Sequence, residues 1–222
     1  DQATEIALYS ALQALSDSKF FGTLNPDTVL EIATFCLNKL IPSQDHDSFL
    51  SLRAPILSSI IKSFSNIFPF VAKNPEFLGR IIESGVSSLI LSLLTVENLQ
   101  SLELCTDSAI HFLCQATQIS DDICFQMEKC DVVLCLSQSL LNIRFFENVG
   151  IQSLLLIYNT FVACCGNVEF KSYIFSCSKN QDFLLVLYRC LENGSAKLKQ
   201  QAFSILAQIV YVLSGQSAID FF

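Results

Sequence analysis

The chain has 222 residues, of which 51% are hydrophobic and 15% are charged, against about 25% charged in an average soluble protein. With only 7 glycines and 5 prolines, this composition excludes intrinsic disorder and collagen-like or linker-like sequence. The 13 Lys and Arg residues against 21 Asp and Glu residues give a net charge of −8, which argues against the wide basic surface that nucleic-acid phosphates require.

The first third of the chain has the pattern of three helices. Residues 4–16 have apolar residues at helical spacing, and residues 25–27 (Asn-Pro-Asp) are a start signal for a second helix over 28–40. Residues 57–72 predict a third, longer helix. Long apolar stretches without strict alternation favour helices over strands throughout the chain.

From Asn74 onward the sequence repeats itself. Blocks begin at Asn74, Ser120 and Asn167, which are 46 and 47 residues apart. Each block has the pattern of a short helix, a middle helix and a long helix, with a polar break before the long helix. The predicted breaks lie at residues 96–100, 142–150 and 192–197.

This repeat resembles the armadillo repeat family. Its period lies in the range of about 40–47 residues that armadillo and HEAT repeats have. Residues 81–94 (IIESGVSSLILSLL) are similar to that family's junction of first and second helix, where Gly85 allows a sharp turn. The junctions at 130–131 (Cys-Asp) and 177–178 (Cys-Ser) are less standard. The resemblance implies an all-α fold, a right-handed α-solenoid of three-helix repeats whose third helices line a concave face.

Residues 1–222 are then a single repeat domain. We predict a partial repeat, four full repeats and the start of a further one, over residues 1–17, 18–73, 74–119, 120–166, 167–215 and 216–222. Because both ends are repeat fragments and no Met begins the chain, we expect a piece excised from a larger protein.

Each long helix carries one side-chain amide among apolar residues, at a similar level of the helix. These amides are Gln13, Asn66, Gln115, Asn159 and Gln208. A carboxamide has two N–H donors and an acceptor, so it can bind the N–H and the C=O of an extended peptide together. In armadillo proteins that bind extended peptides, Asn on the third helix has this role. Asn66 and Asn159 match that pattern, whereas Gln at the other three positions departs from it.

The same amides have a second interpretation. Buried polar groups must find hydrogen-bond partners, so an amide in an apolar helix can equally bond a neighbouring repeat. The sequence leaves open whether this row of amides forms a peptide groove or joins the repeats.

Ten cysteines, none of them in a C-x-x-C pair, lie mostly within apolar helical runs. This placement predicts buried thiols in a reducing compartment, the cytoplasm or the nucleus, and not a disulfide scaffold. The adjacent pair Cys164 and Cys165 would be redox-sensitive if exposed, but two buried thiols explain it more simply.

No motif predicts catalysis, a metal or a cofactor. His111 and Cys114 share a helix face, but no third group is present to orient them for catalysis. His46 lies in a polar loop, and the Asp47 and Ser48 that follow it are explained more simply as the N-cap of a helix than as metal ligands. Three cysteines are too irregularly spaced for a zinc site: Cys124, Cys130 and Cys135. We therefore expect no enzymatic activity, no metal and no cofactor.

Two charge-free stretches, residues 149–168 and 201–219, approach the roughly 20 residues that a bilayer requires. Polar residues near their middles, and flanks without basic residues, favour buried helices over a membrane span.

Two functions stay open. The first is a non-enzymatic scaffold or adaptor that binds an extended or helical segment of a protein partner on the concave face, and the acidic net charge would favour a basic segment. The second is a regulatory or structural solenoid segment that recognises partners through other surfaces. For it, the family resemblance allows a small-GTPase-binding domain or an assembly subunit of a cytoskeletal complex.

Overall fold

The computed structural model describes residues 11, 24–41, 54–94, 96–142, 147–166 and 171–219. Within these ranges the regular structure is entirely helical, which confirms the all-α prediction. In chain order the helices are α1 (Pro26–Leu40), α2 (Ala54–Val71), α3 (Pro75–Ser84), α4 (Val86–Ser92), α5 (Val96–Ile119), α6 (Asp121–Lys129), α7 (Val132–Asn142), α8 (Glu147–Cys165), α9 (Lys171–Cys177), α10 (Gln181–Asn193) and α11 (Ala196–Ile219).

Asn-Pro pairs begin two of these helices. Asn25 caps α1 and Asn74 caps α3, and in each case a proline follows at the first helical position, where its missing N–H costs nothing. Oδ1 of Asn74 accepts hydrogen bonds from the backbone N–H groups of Glu76 and Phe77, at 3.0 and 3.2 Å. The predicted helices over 28–40 and 57–72 are therefore present, beginning two or three residues earlier than expected.

The sharp turn predicted at Gly85 is also present. Gly85 has φ 65° and both ends α3 and begins α4, a conformation that costs a residue with a side chain more than it costs glycine. At the next junction Asp131 takes this role with φ 50°. At the third junction the turn is longer, because α9 ends at Cys177 and Asn180 caps α10.

The polar segment over 96–100 is not the break that we predicted, because α5 begins at Val96 and includes it. The segment contains neither glycine nor proline, and polar residues are compatible with the first turns of a helix. Residues 147–150 likewise belong to α8. At the other end of the chain α11 runs through Ile219, so residues 216–219, predicted to start a further repeat, lie in that helix.

The long helices contact one another in chain order. α2 packs against α5, α5 packs against α8, and α8 packs against α11. The middle helices show the same order, since α4 contacts α7 and α7 contacts α10. Equivalent helices of successive units are therefore neighbours in the fold.

Aromatic side chains join these units in the core. The Phe112 ring of α5 lies 5.1 Å from the ring of Phe64 and 5.3 Å from that of Phe68, both on α2. Further along, the rings of Phe161 on α8 and Phe183 on α10 are 6.1 Å apart. All five side chains are fully buried and belong to one hydrophobic cluster that extends from α1 to α11.

One helix in the described part of the chain is long and apolar enough to cross a membrane, judged by length and composition. It is the stretch Asn148–Cys165 of α8, of which 44% is buried in the fold. α8 contacts both neighbouring long helices and three shorter ones, α6, α7 and α9. The absence of a membrane span stays a prediction.

Candidate functional site

Four of the five predicted amides lie on the long helices α2, α5, α8 and α11, and Gln13 lies outside the described residues. Asn66, Gln115, Asn159 and Gln208 are all half-buried. We call these four residues the amide row, and the position that each holds in its helix the register position.

Gln115 bonds the preceding long helix and its own. The hydroxyl of Ser65 on α2 donates to Oε1 of Gln115 at 3.4 Å. Nε2 of Gln115 lies 3.2 Å from Nε2 of His111, one turn earlier on α5. Both ends of this amide are thus occupied within the protein.

Asn159 is held through one of its two polar atoms. Its Nδ2 donates to Oγ1 of Thr117 on α5 at 3.3 Å, and Thr117 is in turn oriented by donating to the carbonyl of Leu113 at 2.9 Å. Oδ1 of Asn159 accepts no hydrogen bond from the residues that the structure describes. Its acceptor capacity is therefore available at a half-exposed position.

Gln208 is held in the complementary way. Its Oε1 accepts from the thiol of Cys165 on α8 at 3.4 Å, and burial raises the pKa of that thiol, which keeps it protonated as a donor. Nε2 of Gln208 donates to no group in the described ranges. A hydrogen-bond donor, Nε2 of Gln208, is thus available on α11, and an acceptor, Oδ1 of Asn159, is available on α8.

Three amides of the row therefore join successive long helices. The hydrogen-bond partners lie at different positions on the preceding long helix. Ser65 is one residue before Asn66, Thr117 is two residues after Gln115, and Cys165 is six residues after Asn159. Ser65 and Thr117 were not predicted as partners of the amides, because their one signal in the sequence was a hydroxyl group in an otherwise apolar helix face.

A second feature is an exposed apolar surface on the last two helices. On α11 it is formed by Phe203, Ala207, Val210 and Tyr211, which we call the outer face of α11. On α10 three apolar side chains are also exposed: Leu184, Leu185 and Tyr188. Large exposed apolar patches on a folded protein commonly mark interaction sites.

A cleft of about 510 Å³ lies where α10 meets α11. Its apolar walls include Leu185, Cys190 and Leu198, and its rim carries Tyr188 and Glu192. The Tyr188 hydroxyl donates to Oε1 of Glu192 at 3.2 Å. Leu185 and Tyr188 belong both to this cleft and to the exposed apolar side chains of α10.

The thiols are mostly buried, and none of the ten cysteines is in a disulfide. Burial raises the pKa of Cys114 to about 11 and that of Cys164 to about 12, so both stay protonated at neutral pH. Cys130 is exposed, and Cys135, predicted to be buried, is half-buried. Cys164 is fully buried and Cys165 half-buried, so one thiol of the vicinal pair is shielded from solvent.

His111, considered with Cys114 as a nucleophile pair, instead contacts Gln115. The described residues contain no group of three or more His, Cys, Asp or Glu side chains that could hold a metal ion, and His46 lies outside them. The lack of enzymatic activity and of a metal stays a prediction.

Comparison of the chain with protein families, with curated proteins and with solved structures found no match. The fold is that of an all-α protein whose long helices pack in chain order and are joined by side-chain amides.

Proposed function

We propose that the chain is a non-enzymatic scaffold that binds a protein partner, and that it is built as a right-handed solenoid of armadillo-like repeats. The order of packing supports this architecture, because each long helix contacts the next long helix and each middle helix contacts the next middle helix. The turn at Gly85 supports it further, since it lies at the junction where the resemblance to the armadillo family expects it.

The observation that carries the function is the amide row. Its members recur on successive long helices and stay half-exposed, and three of them, Gln115, Asn159 and Gln208, are fixed by hydrogen bonds to the preceding long helix. Fixing a side chain before binding lowers the entropy cost of binding. Asn159 then offers an acceptor and Gln208 a donor, which suit the N–H and C=O groups of an extended partner segment.

Charge favours a basic partner segment. The protein carries a net charge of −8, which raises the rate at which a basic segment encounters it. The buried cysteines, none of them in a disulfide, favour a reducing location, the cytoplasm or the nucleus.

The experiment that tests this function compares three versions of the protein as bait in cell extract. The first is the native chain, and the second carries Asn66→Ala, Gln115→Ala and Asn159→Ala. The third is a matched control that removes three exposed polar side chains outside the row: Asn38→Ala, Gln118→Ala and Gln200→Ala.

We expect the native and control proteins to retain the same partner and the row variant to lose it, with helical circular dichroism unchanged in all three. Retention of the same partner by the row variant would contradict the proposal, since the amides would then serve only the packing of the helices.

The second candidate function is a regulatory or structural segment that recognises partners elsewhere. The hydrogen bonds of Gln115 favour it, because both ends of that amide are already used inside the protein. In that case the Gln115→Ala variant loses stability and keeps its partner. Measuring the free energy of unfolding together with partner retention separates the two functions.

A further inference from the structure

A chain of hydrogen bonds between α2 and α5 ends on an ionisable side chain. The hydroxyl of Ser65 on α2 lies 3.4 Å from Oε1 of Gln115, and Nε2 of Gln115 lies 3.2 Å from Nε2 of His111. Ser65 is 1% exposed, whereas Gln115 and His111 are half-buried. The chain therefore runs from the interior of the protein to an imidazole ring that water reaches.

The contact between the two nitrogens assigns the donor and the acceptor. A carboxamide nitrogen carries two N–H donors and accepts no hydrogen bond, so Nε2 of His111 is the acceptor. A ring nitrogen accepts only in the neutral imidazole, whose one proton then lies on Nδ1. The contact is thus that of His111 in its neutral form.

Protonation of His111 is incompatible with this contact. In the imidazolium both ring nitrogens carry an N–H, so two donors would face each other across 3.2 Å. A charged donor that is left without an acceptor is costly in a partly buried position. The amide of Gln115 therefore has to turn when the ring becomes charged.

Ser65 makes that turn possible. A half-turn of the carboxamide exchanges Oε1 and Nε2, so that Oε1 accepts from the imidazolium and Nε2 lies next to the hydroxyl oxygen of Ser65. A hydroxyl can accept as well as donate, so Ser65 can bond either end of the amide. Gln115 therefore has two orientations in which both of its ends are hydrogen-bonded, and the protonation state of His111 selects between them.

One acid and one base are the charged groups closest to His111 among the described side chains. Asp107 precedes it by one turn on α5 and is exposed. Lys62 is the one charged residue of α2, and it precedes Asn66 by four residues, as His111 precedes Gln115. Protonation of His111 therefore adds a charge to a part of the amide row that carries few charges.

The other helices that pack on α5 contribute no nearer charge. They are α4, α6, α7 and α8. Neither α4 nor α7 carries a charged residue, and α8 carries none from residue 148 onward. The charged residues of α6 begin with Asp121, ten residues after His111 and about 15 Å further along a helix axis. The other titratable groups with described side chains on α5 and these four helices are Cys105, Cys114, Cys124, Cys135, Tyr158, Cys164 and Cys165.

We propose that Ser65, Gln115 and His111 form a pH-sensitive switch in the amide row. Histidine is the side chain that ordinarily changes its charge between about pH 5 and 8. At the upper end of this range Oε1 of Gln115 faces Ser65, and at the lower end the amide is reversed and a positive charge lies beside the row. The reversal does not depend on the proposed function. Its consequence rests on that function, since the added charge repels a basic partner segment and weakens binding as the pH falls.

The first test measures the switch without a partner, by nuclear magnetic resonance of ¹⁵N-labelled protein titrated from about pH 8 to about pH 5. The chain has 2 histidines, so the variant His46→Gln assigns the signals of His111. We expect the ring ¹⁵N shifts at the upper pH to place the proton of neutral His111 on Nδ1. We expect the side-chain amide signals of Gln115 to change over the same pH interval as those of His111.

A pair of amide variants provides the control. Gln115→Leu removes the donor to Nε2 of His111 and should abolish the preference of the neutral ring for a proton on Nδ1. Gln118→Leu removes an exposed amide three residues later on the same helix and should keep that preference.

A neutral His111 that carries its proton on Nε2 would overturn the proposal, because that nitrogen would already donate and protonation would leave the amide in place. Amide signals of Gln115 that stay constant while His111 titrates would overturn it as well.

The second test measures the consequence for binding, with a fluorescent peptide of alternating Lys and Ser as a basic extended probe. The background is His46→Gln, so that His111 is the one histidine that titrates. We expect this protein to bind the peptide about 3–10-fold more weakly at about pH 5.5 than at about pH 8, and the further variant His111→Gln to lose much less.

Equal pH dependence with and without His111 would overturn the effect of the switch on binding. A peptide that fails to bind at either pH would contradict the proposed binding of basic segments, while the resonance titration decides the switch by itself.

Discussion

Replacing Phe112 with alanine should destabilise the contact between α2 and α5 more than any surface change. Its side chain is fully buried, and its ring lies 5.1 Å from that of Phe64 and 5.3 Å from that of Phe68. Truncating a buried Phe costs about 3–5 kcal/mol, from lost burial and from the cavity that is left. We take about 4 kcal/mol for Phe112, because it loses two ring contacts that together contribute about 1–3 kcal/mol.

Such a loss is a large share of the roughly 5–15 kcal/mol by which a folded domain is stable. At about 2–4 °C per kcal/mol for a chain of this size, the Tm should fall by about 8–16 °C. Because the chain has no Trp, urea unfolding is followed by circular dichroism. The midpoint should fall while the slope against urea stays unchanged, since the exposed surface is the same.

The control is Phe70→Ala, on the same helix α2 but 51% exposed, for which we expect a loss of about 1 kcal/mol or less. A loss below about 1 kcal/mol for Phe112→Ala would refute the packing of α2 on α5 described above. Equal losses for both variants would refute the assigned burial.

Three further predictions concern glycines and thiols. Gly85→Ala should lower the free energy of unfolding by about 1 kcal/mol, because φ is 65° at that position. Gly79→Ala, inside α3 with open space around it, should raise the free energy of unfolding by about 0.4–1 kcal/mol. Urea unfolding of the two variants measures both changes. Cys130 should react with a thiol reagent in the native protein well before Cys36, which is fully buried; stopped-flow absorbance counts the thiols. Raising the pH from 9 toward 12 should lower the free energy of unfolding, because burial raises the pKa of Cys36 from 9.0 to about 12 and the unfolded chain loses that proton first; a free energy that rises over this range would contradict it.

Local signals in the sequence predicted most of the helices and their turns. The Asn-Pro pair at 74–75 caps a helix, and Gly85 supplies the turn, because both depend on one or two residues and their own backbone. Polarity alone was a poor indicator of a boundary. The segment 96–100 was predicted as a break and is helical, since nothing in it interrupts the backbone hydrogen bonds.

The positions of the amides were predictable, but their partners were not. Helical spacing placed Asn159 and Gln208 on their long helices. Their partners depend on how each long helix packs against the next, and Thr117 and Cys165 lie at different offsets from the register position. The packing of whole surfaces determines these pairings, and no short motif encodes them.

The exposure of the outer face of α11 could not be predicted from the sequence either. Phe203 is as apolar as Ile61, Ile110 and Leu154 at the equivalent positions, yet those three are buried and Phe203 is not. The residues of a helix face show whether that face is suited to burial. Whether another helix covers the face depends on the arrangement of the whole fold.

The measurement that tests the scaffold proposal most directly is the affinity of a retained partner for two variants of the protein, each of which removes one side of the hydrogen bond between Asn159 and Thr117. Asn159→Ala removes the amide, and Thr117→Val removes only the acceptor of the Nδ2 bond between α8 and α5. We predict that Asn159→Ala weakens binding about 5–30-fold, equivalent to about 1–2 kcal/mol, while Thr117→Val, which keeps the amide but no longer fixes it, lowers stability and weakens binding less. Unchanged affinity in Asn159→Ala, with equal losses of stability in both variants, would contradict it and assign the amide to the packing of the helices alone.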